Sequence, residues 1–175
     1  LKNAANKTLQ IPLKNQDITT PEIIPEKQTA VFLVSELGGA IHSFLWVQRL
    51  FPDIFHNVVF VSQGIVDIGS FGSDNAIRKL KLKTKKQLKY LVQFAHEQGF
   101  AAESHVIYGT DPVDCFLDKS EEINTKYSNT IYFASRYIYP KENWFLKLLH
   151  SNLIPELQEK LQILGIKMLV LPLKL

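Results

Sequence analysis

The sequence predicts a three-layer α/β fold, a doubly wound parallel sheet of five strands with helices on both faces. Three observations carry that expectation. Short runs that are apolar at every position recur along the chain, as strands buried on both faces must be. Stretches with apolar residues three and four apart separate them, the spacing of amphipathic helices. Strand and helix alternate throughout, which implies right-handed crossovers and therefore parallel pairing. A length of 175 residues with 46% hydrophobic and 21% charged positions suffices for one such domain plus a linker.

The elements follow in order. Residues 1–28 hold Pro12, Pro21 and Pro25 among Lys, Asn, Gln and Thr, and read as a linker or extended arm ahead of a domain over 29–175. Ala30–Val34 is the first buried strand, followed by Ser35, Glu36, Leu37, Gly38 and Gly39 and then a helix bearing Ile41, Phe44, Leu45, Val47 and Leu50. Val58–Val61 is the second strand, closed by Ser62, Gln63 and Gly64. A long helix runs from about Asp74, an N-cap, to Gly99, with Ile77, Leu80, Thr84, Leu88, Leu91 and Ala95 on one stripe. Ala101–Tyr108 is the third strand. Asp111 and Pro112, a capping acid before a proline at the first helical position, open the third helix. Thr130–Ala134 is the fourth strand. A helix over about Asn143–Leu164 keeps its leucines in phase across Pro155, which predicts a kink near Ile154, and stops at Gly165. Met168–Leu173 is the last strand. The third strand alternates Glu103 and His105 with Ala102, Ser104 and Val106, and the fifth contains Pro172, so both are expected at the rims. The strand order that fits is 3-2-1-4-5.

The net charge of +3 conceals its distribution. Seven of the twenty basic residues, Arg78, Lys79, Lys81, Lys83, Lys85, Lys86 and Lys89, lie together with no acid among them. The remainder of the chain carries thirteen basic against seventeen acidic residues, a balance of −4. A mildly acidic protein with one cationic helix face is not a nucleic-acid binder by composition, and no aromatic residues interleave the lysines. The face reads either as a solvated surface or as one attracted to an anionic membrane.

Chemistry-bearing patterns are sparse. The five histidines show no i,i+4 pair and no nearby cysteine, so no metal site and no cofactor are expected. Cys115 is the single cysteine, which excludes an internal disulfide, and it reads as a half-buried thiol near a helix start. There is no Gly-x-Ser-x-Gly elbow, and no catalytic residue is assigned. Ligands of open parallel sheets sit outside the carboxyl ends of the strands where the strand order reverses. Under the order above, that crevice lies between the turns at Ser35, Glu36, Gly38, Gly39 and at Ser135, Arg136. Free backbone N–H groups at the first turn and the Arg136 cation suit an anionic ligand there. Equally, the glycines can serve only a tight strand-to-helix turn. Val170, Leu171, Pro172 and Leu173 form the edge through which a homodimer would pair.

Over residues 29–175 this pattern resembles the universal stress protein fold. In its nucleotide-binding members a Gly-x-x-Gly, nine residues and a Gly-Ser/Thr follow the fourth strand. Here Ala134–Asn143 holds no glycine and none comes before Gly165, so the resemblance does not extend to that nucleotide grip. A second resemblance is to the soluble C-terminal domain of bacterial permeases of the amino acid–polyamine–organocation superfamily. It is carried by Gly38–His42, Leu50–Pro52, Phe55–Ser62, Gly64–Asp67, Gly109–Val113, Glu142–Phe145, Leu148–Asn152 and Val170–Lys174. Pro155 departs from it. The start at Leu1 and the lone Met168 also suggest a piece of something longer.

The resemblance implies a non-catalytic regulatory or assembly domain of an amino-acid-permease-like transporter. It would lie on the cytoplasmic face of the bacterial inner membrane, with its own transmembrane domain as partner. The alternative is a nucleotide-binding signalling domain of the universal stress protein type. A flavodoxin-like enzyme, the third class, would require a bound cofactor.

Overall fold

The computed structural model describes residues 20–65, 74–109, 111–138 and 153–174. Five strands, β1 (Thr29–Val34), β2 (Asn57–Ile65), β3 (Ala101–Gly109), β4 (Thr130–Ile138) and β5 (Met168–Lys174), form one parallel sheet in the order 3-2-1-4-5. Helices α1 (Leu37–Leu50) and α2 (Asp74–Glu97) cover one face, while α3 (Pro112–Lys126) and α4 (Leu153–Ile163) cover the other. This is the expected architecture, with β3 and β5 at the rims.

Period-two alternation along each strand divides the core in two. Ala30 and Phe32 of β1, Val58 and Phe60 of β2 and Phe133 of β4 point to α1 and α2, where Phe44, Val47, Leu88 and Leu91 meet them. Val31, Val59, Val61 and Tyr132 point the other way, to Val113, Phe116, Leu157 and Leu161. Register aligns three phenylalanines across the middle of the sheet: Phe32 pairs with Phe60 on one side and with Phe133 on the other. Their rings stack at 5.8 Å and 5.3 Å between centroids, and Phe44 of α1 stands edge-on to Phe32 at 5.9 Å. Each such aromatic pair contributes about 0.5–1.5 kcal/mol beyond its burial.

The helix ends follow the local chemistry. Asp111 caps α3 by accepting from the N–H groups of Val113 (2.8 Å) and Asp114 (3.1 Å), with Pro112 where a missing donor costs nothing. Gly99 and Gly165 follow α2 and α4 with φ of 87° and 74°, a left-handed conformation that glycine enters without a Cβ clash. Pro155 lies in the first described turn of α4. The expected start of that helix at Asn143 lies outside the described residues, and the kink near Ile154 falls at their limit.

Two strands run further than the sequence suggested. Ser62, Gln63 and Gly64 belong to β2 instead of closing it, because β3 continues alongside them to Gly109. Ser135 and Arg136 are likewise not a loop; they lie in β4, level with Leu171 and Pro172 of β5. Apolar runs mark where a strand is buried on both faces, whereas parallel pairing carried both strands on through polar residues.

Candidate functional site

The two overlong strands create the most distinctive feature at the carboxyl edge of the sheet. Pairing of β1 with β4 extends to Phe32 and Phe133, while pairing with β2 continues to Val34 and Ser62. β1 ends there. β2 runs three residues beyond Ser62, to Ile65, and β4 runs three residues beyond Ser135, the residue level with Val34. At about 3.3 Å of rise per residue and about 4.8 Å between strands, this leaves a notch roughly 10 Å deep and 10 Å wide over the end of β1. It sits where the strand order reverses, the position at which open α/β sheets take their ligands.

α1 begins in that notch. Glu36 precedes it in extended conformation (φ −139°, ψ 148°), and its carboxylate caps no backbone N–H. The first turn, Leu37, Gly38 and Gly39, contains no acidic side chain, and its N–H groups have no carbonyl within the helix to bond. The first bond of the helix comes from Ala40 N to Glu36 O at 3.0 Å. Ser35, Glu36 and Gly38 are exposed, whereas Gly39 is buried beneath the turn. Ser135 is half-buried on β4. The backbone of Arg136 continues the strand, and its side chain lies outside the described residues.

The topology therefore brings the two halves of the expected crevice to one notch, Ser35–Gly39 at its floor over the end of β1 and Ser135 and Arg136 on its β4 wall. A further residue, Ser62, belongs with them: it is level with Val34 and 7% exposed. Its place at the end of an all-apolar run was the available signal, read as a strand terminator. Three serines and a helix N-terminus can donate hydrogen bonds to hydroxyl or phosphate oxygens. That chemistry holds a ligand and does not transform one.

The other candidates are accounted for by ordinary partners. Cys115 Sγ donates to the Tyr108 carbonyl at 3.7 Å. His56 bonds the Glu22 carbonyl (3.1 Å), His96 the Ala102 carbonyl (3.2 Å) and His105 the Glu103 carboxylate (3.0 Å). No cluster of three potential metal ligands occurs among the described residues. The seven basic residues of α2 are all exposed and make no ion pair among the described residues. On β5, Val170 is half-buried, Leu171 is buried and Pro172 is exposed; the Leu173 side chain lies outside the described residues. No described helix is long and apolar enough to cross a membrane.

No protein-family model matches the chain, and no curated protein matches it. Solved structures do. A universal stress protein family member from Burkholderia pseudomallei superposes with a TM-score of 0.57 at 11% identity, over 83% of this chain and 96% of that one. A hypothetical protein designated PH0823 gives 0.56 at 15% identity, over 84% and 95%. A universal stress protein family protein from Arabidopsis thaliana, solved with AMP bound, gives 0.51 at 11% identity, over 83% and 91%. At these identities the likeness is one of fold. The chain has a universal-stress-protein-like α/β architecture.

Proposed function

We propose that this chain is a non-catalytic signalling domain that holds an adenine nucleotide in the notch over β1. The observation that carries the reading is the three-residue overshoot of β2 and β4, which opens a cleft at the switch point of a universal-stress-protein-like sheet. The AMP bound to the Arabidopsis protein of the same fold supports it. In this chain the amides of Leu37, Gly38 and Gly39 and the cation of Arg136 replace the glycine-rich phosphate grip that the sequence lacks. Ser35, Ser62 and Ser135 supply hydroxyls for the ribose.

Isothermal titration with AMP, ATP and cyclic di-AMP tests this. The expected result is saturable one-to-one binding of at least one of them, weakened about tenfold or more in Arg136→Ala by loss of a charge-assisted contact. Ligand at 100 times its dissociation constant adds about 2.7 kcal/mol of stability, visible as a thermal shift. Absence of heat and of any shift at millimolar nucleotide would count against the site.

A second reading concerns the setting. The sequence stretches that resemble permease C-terminal domains favour a regulatory or assembly module of an amino-acid-permease-like transporter. It would sit at the cytoplasmic face of the bacterial inner membrane, joined to its own transmembrane domain. In that setting two copies would pair through the β5 edge. Removing this region from the longer chain should alter the regulation of uptake and leave membrane insertion intact; unchanged uptake kinetics would remove the reading.

A further inference from the structure

The edge strand at the other rim presents a second surface. β3 is nine residues long, and among the described residues only β2 pairs with it, so its outer row of N–H and C=O groups has no strand beside it. Such an edge is a template for strand addition. Beside it, on the α2 side, lies a groove of about 380 Å³ lined by Lys85, Leu88, Lys89 and Val92 of α2 and by Glu103, Ser104 and Val106 of β3, the alternation of the strand turning the Glu103 side chain to the opposite face, where it meets His105 and Lys126. The α2 members recur at i, i+3, i+4 and i+7, a single stripe of that helix facing the rim. Leu88 is buried and Val92 half-buried, so they form an apolar floor, while Lys85 and Lys89 are exposed at its lip. One turn earlier, Lys81 Nζ stands 5.0 Å from the centroid of the Tyr108 ring.

We infer that the β3 edge and the lysine stripe of α2 together dock an extended acidic segment of a partner protein, added as a sixth strand. Charge decides the occupant. Glutamates on the α2 side of the incoming strand lay their methylene stems on Leu88, Val92 and Val106 and bring their carboxylates to Lys81, Lys85 and Lys89. Side chains on the opposite side of that strand face Glu103, His105 and Lys126, where a further acid meets the Glu103 carboxylate. The fitting segment is therefore acidic at alternate positions. A second copy of this chain does not fit, because edge-to-edge pairing of two β3 strands would bring two heptacationic helices together. The surface is separate from the notch over β1, so the two proposals stand or fall independently.

The probe is a fluorescein-labelled peptide of about eight residues alternating Thr and Glu, long enough to match the strand. Fluorescence polarisation should show saturable binding that weakens at least tenfold in the double variant Lys85→Glu, Lys89→Glu. Both lysines are exposed, so circular dichroism should find that variant folded as the parent is. The same peptide N-methylated at alternate amides keeps its charge but cannot pair with an edge, and it should not bind. β3 amides should gain protection from hydrogen exchange when the unmodified peptide is bound. Equal binding of the N-methylated peptide overturns strand addition. So does failure of the unmodified peptide to bind, including the case in which vesicles of phosphatidylcholine with about 30% phosphatidylglycerol capture the protein through the same lysines.

Discussion

Glu103 stands half-buried on the edge strand, where burial raises the cost of its charge. Hydrogen bonds from His105 and Lys126 outweigh that cost and hold the carboxyl at about 2 instead of 4.5. A folded-state value below the unfolded one means stability that is fully present above about pH 4.5 and is lost as pH falls toward 2. Because the side chain is partly wet, solvent screening cuts the contribution to on the order of 1–2 kcal/mol. Glu103→Gln should therefore lower the free energy of unfolding near neutrality by that amount and make the remaining stability fall less steeply between pH 4.5 and 2. Urea titrations of both proteins across that range check it; parallel acid limbs would mean that the carboxylate is not differentially ionised. The sequence carried half of this arrangement. Glu103 and His105, two apart on an alternating strand, could be read as neighbours on a wet face. Lys126 could not, because it reaches Glu103 only when the α3 crossover folds back onto the sheet.

At the scale of elements, the segment before β1 is fastened by one residue of β2. Asn57 is fully buried at the start of that strand. Its side chain accepts from Ile24 N (3.1 Å) and donates to Ile24 O (2.7 Å) and to Thr29 Oγ1 (3.0 Å). The neighbouring backbone adds His56 N to Gln28 O (3.0 Å) and Ser128 N to Pro25 O (3.1 Å), so residues 24–28 lie across the amino ends of the strands. Asn57→Ala removes both halves of the amide clasp and leaves the partly buried N–H and C=O of Ile24 without their partners. The expected cost is about 2–3 kcal/mol, with faster proteolysis near Ile24. A loss below about 0.5 kcal/mol in urea unfolding would show that water satisfies those groups. The prolines and polar residues of this stretch read as a linker or extended arm, and its described end turns at Ile24–Lys27, where Lys27 N donates to Ile24 O at 3.0 Å. Where it docks was not legible, since the docking residue lies 33 positions further on in a run that reads simply as strand.

For the molecule as a whole, strand order was legible because two features spoke for the rims: the charged alternation of Glu103 and His105 in β3 and Pro172 in β5. The depth of the notch was not, because it depends on how far β2 and β4 outlast β1, and polar strand ends look like turns. The proline makes a further demand. Pro172 is exposed on β5 and level with Arg136 of β4, in a strand whose other side has no neighbour among the described residues. Proline has no N–H to give, so in an edge strand its nitrogen belongs on the open side, where the missing donor interrupts the row a second β5 would need. If β5 is the seam of a homodimer, Pro172 sets its strength by shortening the continuous ladder. Pro172→Val restores the donor in a residue suited to strands and should shift sedimentation toward the dimer, with an association constant raised several-fold. Leu169, 43% exposed beside that edge, gives the control: Leu169→Lys adds charge to the seam and should return the variant to monomer. If Pro172→Val stays monomeric at the highest concentration that remains soluble, β5 is not the seam, and the regulatory reading must stand without self-association.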